Sequence, residues 1–245
     1  MKTYLLLIAT LFSGIAWTEA PSGKSILEKV DANLTSETSI MTSQMIIHGQ
    51  RGSRTIESKS WAKGADTAFT EYLAPAREKG TKMLKLEDRL WMYSPDTDRT
   101  IQISGHMLRQ SVMGSDLSYE DMMDDPRLAE LYEAEVTGED SIEERDCWVL
   151  HLIANKDDVA YQSRKLWVDK ERMVPMQGEL FAKSGKLLKR VTLKDFKQIE
   201  ERWYPMHMTF KDVLKSGEGT EFIATSIEFN VDIPEYIFSK AALKR

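Results

Sequence analysis

The side chains whose type and spacing could carry acid–base, metal or nucleophilic chemistry include four histidines, adjacent acids such as Asp124-Asp125 and Glu143-Glu144, and one cysteine. His48, His106, His151 and His207 fall one to a segment, and none has a second ligand-type residue at the short spacing a zinc site uses. They read as ordinary strand or surface histidines. Asp124-Asp125 and Glu143-Glu144 suggest paired carboxylates, yet adjacent side chains point in different directions on a helix or a strand alike. Solvated turn charges are the simpler reading. The chain has no Gly-x-Ser-x-Gly elbow, no His-Glu-x-x-His helix, no complete Gly-x-x-x-x-Gly-Lys-Ser/Thr phosphate loop, since Gly23-Lys24-Ser25 has Thr18 where the leading glycine belongs, and no Cys-x-x-Cys pair. The expectation is therefore a protein that is not an enzyme, with no catalytic residue, no metal and no cofactor. Cys147 is the only cysteine, so an intramolecular disulfide is excluded and a buried, inert thiol is expected.

Composition narrows the partners. A net charge of −6 with both signs interspersed leaves no basic footprint for nucleic acid. Lys2, the apolar stretch Tyr4 to Trp17 and the small-residue end Thr18-Glu19-Ala20 form a signal-peptide pattern. The stretch is shorter than the roughly 20 residues that span a bilayer. Residues 1–20 are thus expected to be a signal peptide removed near Ala20, and 21–245 to be one exported, soluble domain.

The elements that must position any site follow from periodicity. Ile26, Leu27, Val30 and Leu34 recur at helical spacing behind a capping-box pattern, Ser25 to Glu28, which predicts one amphipathic helix. The period then changes to two. Strands are expected near 38–48, 54–63, 66–74, 80–86, 90–94 and 99–103, joined by short polar turns. A second run is expected near 130–138, 142–154, 160–169, 173–183, 186–197, 199–212 and 219–230. A helical pattern interrupts the strands over 105–129, and Pro234 to Leu243 predicts a short closing helix. About a dozen consecutive strands with short links predict one mainly β fold, an antiparallel sheet that curls into a barrel or partial barrel around an inner face that something must fill.

Thirteen methionines occur, and Met107, Met113, Met122 and Met123 fall inside the one segment that interrupts the sheet, beside Leu108, Val112, Leu117 and Tyr119. Unbranched, polarizable side chains adapt to irregular apolar shapes. They suit either a movable lid over an apolar site or the plain packing of a loop onto a sheet, and residue types alone leave both open. Aromatic residues such as Trp61, Phe69, Trp91, Tyr93, Trp148 and Trp167 are spread through the strands, and about half must face inward. Arg77, Lys79, Lys82 and Arg109 are available to acidic head groups, with surface solvation as their default role.

At Pro75-Ala76-Arg77-Glu78-Lys79-Gly80-Thr81-Lys82-Met83-Leu84, Leu90-Trp91-Met92-Tyr93-Ser94-Pro95 and Met113-Gly114-Ser115-Asp116-Leu117-Ser118-Tyr119-Glu120-Asp121, the chain resembles the outer-membrane lipoprotein-sorting branch of the LolA-like superfamily. The resemblance in element order covers nearly all of residues 21–245. It implies a half-barrel of about 11 to 13 antiparallel strands, capped by short helices over an apolar cavity for acyl chains. It implies a periplasmic carrier whose partners are lipoprotein acyl chains or lipid, and a membrane-embedded transporter or an outer-membrane acceptor. On this reading Trp91, Tyr93, Met107, Leu108, Val112, Met113, Leu117, Tyr119, Met122 and Met123 bind the ligand. The alternatives are an envelope-stress sensor or exporter accessory subunit using the same cavity, and a hydrolase motivated only by the scattered acids and histidines. A carrier must offset the cost of exposing its cargo to water, since each methylene kept from water is worth about 0.8 kcal/mol, on the order of 10 kcal/mol for one long chain.

Overall fold

The computed structural model describes residues 21–49 and 52–245. The expected signal peptide lies outside the described residues. Thirteen strands form one sheet: β1 (Thr38–Gly49), β2 (Gly52–Lys63), β3 (Thr67–Ala74), β4 (Lys82–Leu86), β5 (Arg89–Ser94), β6 (Arg99–Ile103), β7 (Tyr132–Ile142), β8 (Arg145–Ala154), β9 (Ser163–Asp169), β10 (Pro175–Phe181), β11 (Leu187–Ile199), β12 (Arg202–Asp212) and β13 (Thr220–Phe229). Their spatial order is β6-β5-β4-β3-β2-β1-β13-β12-β11-β10-β9-β8-β7. The pairings are antiparallel throughout, and β1 joins the two meanders through β13. The sheet does not close, because β6 and β7 are its two edges.

That topology decides where the interrupting segment goes. The chain leaves the sheet at one edge, β6, and returns at the other, β7, so residues 104–131 must cross a whole face. They cross the inner face as short pieces: 3₁₀ turns at Gly105–Arg109 and Val112–Gly114, then α2 (Tyr119–Met123) and α3 (Leu128–Leu131). Helix α1 (Gly23–Leu34) lies on the same face at the β7 end, where Ile26, Leu27 and Val30 pack on Leu150, Leu152, Leu166 and Val168. On the outer face the C-terminal residues Ile233, Phe238 and Leu243 cover Phe69, Leu84 and Trp91.

Several local expectations shift. The cap of α1 is Ser22, whose hydroxyl accepts from Ser25 N at 3.2 Å, one turn ahead of the expected Ser25 box. Strand β7 runs on to Ile142 because its ladder with β8 continues to Ile142 opposite Arg145. The turn therefore falls at Glu143-Glu144, both at positive φ. The helix expected over 105–113 is broken into 3₁₀ pieces, with Met113 at φ 50°. The closing helix is two 3₁₀ segments, Glu235–Phe238 and Lys240–Lys244.

Candidate functional site

The site is a hollow of about 240 Å³ between the middle of the sheet and the crossing segment. Its floor comes from inner-face positions of five strands. Met41 and Met45 of β1 stand beside Ser58 and Ser60 of β2, Thr70 and Tyr72 of β3, and Phe222 of β13; Met208 and Phe210 of β12 complete it. The space exists because small hydroxyl residues sit where neighbouring rungs carry large side chains. Ser43 faces Ser58, and Ser60 faces Thr70, in the strand registers. Their hydroxyls pair across the strands at 3.0 and 2.9 Å, so the polar atoms satisfy one another and leave an apolar surface above them.

Val112, Leu117 and Met122 of the crossing segment form the roof. Met107, Leu108, Met113, Tyr119 and Met123 pack around them against the cluster that holds Met45, Ile47, Ile56, Tyr72 and Met83. Eight of the ten residues assigned to ligand binding are thus brought together. Trp91 and Tyr93 are not. Strand alternation puts Leu90 and Met92 on the hollow's side and turns Trp91 and Tyr93 to the outer face, against the C-terminal residues. The floor residues Met41, Met45, Met208, Phe210 and Phe222, and the hydroxyl pairs, carried no mark in the sequence beyond period-two alternation.

The roof is tied down by acids. Asp116 accepts from Asp212 N at 2.9 Å and from the Thr220 hydroxyl at 3.0 Å. Asp121 caps α2 from within, accepting from Ser118 N at 2.6 Å, and also meets the Tyr161 hydroxyl and the Lys189 ammonium. Burial works to raise the Asp121 carboxyl, but the Lys189 ammonium and the hydrogen bonds from Ser118 N and the Tyr161 hydroxyl together outweigh it and hold the group below the usual carboxylate range. Asp124 accepts from Arg164 of β9. From the floor, Lys85 Nζ donates to Met123 O at 3.1 Å and to Ala65 O at 2.9 Å. Burial lowers the pKa of that ammonium from its ordinary value. This arrangement can shelter an apolar chain, and its ties to β9, β11, β12 and β13 are polar side-chain contacts.

Of the residues first considered for chemistry, only Asp124 takes part in the ties of the roof. His48 and His207 flank Glu221 on the outer face at 2.6 and 2.8 Å. Asp124 and Asp125 point to different partners, Arg164 and Arg127. Cys147 is fully buried, and burial pushes its thiol up.

Comparison with solved structures places this architecture. A domain described as an outer membrane lipoprotein-sorting protein, from Vibrio parahaemolyticus, aligns at 25% identity and TM-score 0.78, over 91% of this chain and 98% of its own. A LolA superfamily protein from Nitrosomonas europaea aligns at 25% identity and TM-score 0.74, over 91% of this chain and 100% of its own. A DUF1329 family protein from Desulfovibrio piger shares the fold at 24% identity and TM-score 0.80, over 90% of this chain and 97% of its own. No curated protein matches the chain in sequence. A family model described as an uncharacterized protein matches residues 64–245, so the chain belongs to that family, and its architecture is that of the lipoprotein-sorting and LolA superfamily structures it matches.

Proposed function

We propose that this protein is a periplasmic carrier that takes the acyl chain of a lipoprotein or other lipid into the roofed hollow and moves it towards the outer membrane. The observation that carries the reading is the joint between floor and roof: an apolar cavity in mid-sheet, covered by a methionine-rich segment that is held by side-chain contacts. A permanent core would be filled by its own side chains to near-crystalline density. Here Ser58, Ser60 and Thr70 keep the interior open, and Met107, Met113, Met122 and Met123 supply flexible walls. Two kinship findings support it: the 25% identical relatives named for lipoprotein sorting and for the LolA superfamily. The carrier acts by binding, and the envelope is its place of work. Among the described residues, no helix is long and apolar enough to cross a membrane.

The test is a transfer experiment. Donor vesicles loaded with a fluorescent acylated lipopeptide are separated from acceptor vesicles by a membrane that passes protein but not vesicles. The expected result is protein-dependent appearance of label in the acceptor, with bound lipid seen by native mass spectrometry of protein purified from a membrane-containing host. Protein that stays empty and moves no label would overturn the carrier reading. A stable complex with one membrane protein, without transfer, would replace it by the sensor or accessory role.

A further inference from the structure

Three hollows lie end to end on the inner face. The central one shares Leu117 with a groove of about 570 Å³ on one side, and shares Met41 and Ser60 with a smaller hollow of about 170 Å³ on the other. A 150 Å³ cavity that takes up benzene implies roughly 25 Å³ per carbon, so the central and smaller hollows together have room for about sixteen carbons. That is one long chain. A second chain would have to lie in the groove, among its charged residues.

Surface chemistry changes at Leu117. Beyond it the groove is lined by charged residues of both signs, among them Arg109, Glu120, Asp212 and Lys215. Lys215 is already engaged, donating to Ser111 Oγ at 2.6 Å and to Ser115 O at 2.7 Å. Among the described residues, Arg109 and Glu120 have no ion-pair partner within 4.0 Å. They are carried by neighbouring pieces of the crossing segment, the first 3₁₀ turn and α2. A free guanidinium and a free carboxylate at the mouth of a one-chain hollow match a head group that bears one anionic and one cationic centre.

We propose that the site holds one acyl chain at a time, from a single-chain amphiphile with a zwitterionic head, the chain passing Leu117 and the head lying between Arg109 and Glu120. The proposal rests on the carrier reading and names the class of its cargo.

The experiment uses the full chain after delipidation. Titration calorimetry and native mass spectrometry compare palmitoyl lysophosphatidylethanolamine, palmitoyl lysophosphatidylglycerol, dodecyl maltoside, dipalmitoyl phosphatidylethanolamine and a synthetic triacyl lipopeptide. One copy of the zwitterionic lysolipid is expected per protein, bound more tightly than its anionic counterpart. Leu117→Trp is expected to weaken every single-chain ligand by about tenfold or more by narrowing the passage. Arg109 is exposed and Glu120 half-buried, and the pair Arg109→Ala with Glu120→Ala is expected to fold. It should weaken the zwitterionic lysolipid about tenfold, the value of a charge-assisted contact, and leave dodecyl maltoside unchanged. Tighter binding of the two-chain lipid or the triacyl lipopeptide, insensitive to Leu117→Trp, would overturn the proposal while the carrier reading stands. Equal or tighter binding of the anionic lysolipid would overturn the head-group assignment. Failure of all five probes to bind would bring down both.

Discussion

Arg164 Nη2 donates to both carboxylate oxygens of Asp124, at 2.9 and 2.7 Å, and so fastens the roof of the hollow to strand β9. The two side chains are unequally placed. The Arg164 side chain is 7% exposed and lies 4.8 Å from the ring of Tyr132, whereas Asp124 is 25% exposed. Removing Asp124 strands a buried cation, so Asp124→Ala is expected to cost about 3 kcal/mol. Removing Arg164 leaves a carboxylate that water can reach, so Arg164→Met is expected to cost only about 1 kcal/mol. Urea unfolding measures both, and equal losses would show that the pair is not the asymmetric tie described. In both variants, hydrogen exchange should quicken in the roof before it quickens in the sheet.

Ser60 lines the central hollow and its smaller neighbour, so filling that one position should plug both. Ser60→Leu is expected to abolish acyl binding and to change stability by no more than about 1 kcal/mol, because the Thr70 hydroxyl left behind is only part-buried. Undiminished lipid uptake by a folded Ser60→Leu protein would place the chain elsewhere.

Asp31 gives the fold a pH signature. Its carboxylate sits on α1 and accepts from Leu128 N at 3.1 Å and Ala129 N at 2.9 Å, capping α3. Burial raises its pKa from the usual 3.8 to about 6, although the two N–H groups pull the other way. The native state therefore holds this proton more tightly than the unfolded chain does. The contribution is fully present below about pH 4 and is lost as pH rises through about 6. Asp31→Asn should remove the dependence, so the wild-type urea midpoint should fall relative to the variant's from pH 4 to pH 7. A gap that stays constant over that range would show that Asp31 titrates alike in both states.

Gly23 marks the closest approach of α1 to the sheet. A Cβ there would lie 2.3 Å from Ala134 O, a backbone atom of β7 that cannot step aside alone. Gly23→Ala is expected to lift the start of α1 and cost about 2 kcal/mol despite alanine's better helix propensity. A thermal melt at or above the wild-type midpoint would contradict this.

Much of the architecture was legible in the order of residues, because strand and turn signals are local. Ser43, Met45 and Ile47 alternate with more exposed positions, and the thirteen expected runs became thirteen strands. The gathering of Met107, Met113, Met122 and Met123 in one segment was legible too, though it suited a lid and plain packing alike. Topology then explained the gathering, since a chain that leaves one sheet edge and returns at the other must cross the face between them. Where tertiary structure decided the outcome, the reason is that a strand has two faces and the choice between them depends on register with partners far along the chain. Trp91 and Tyr93 read as well for a cavity as Leu90 and Met92 do, and only the ladder with β4 and β6 turned them outward. The floor depended still more on distance in sequence: Ser58 meets Ser43, Ser60 meets Thr70, and Phe222 pairs with Met45 across 177 positions, so a hollow made by small side chains on several strands appears only once those strands lie side by side.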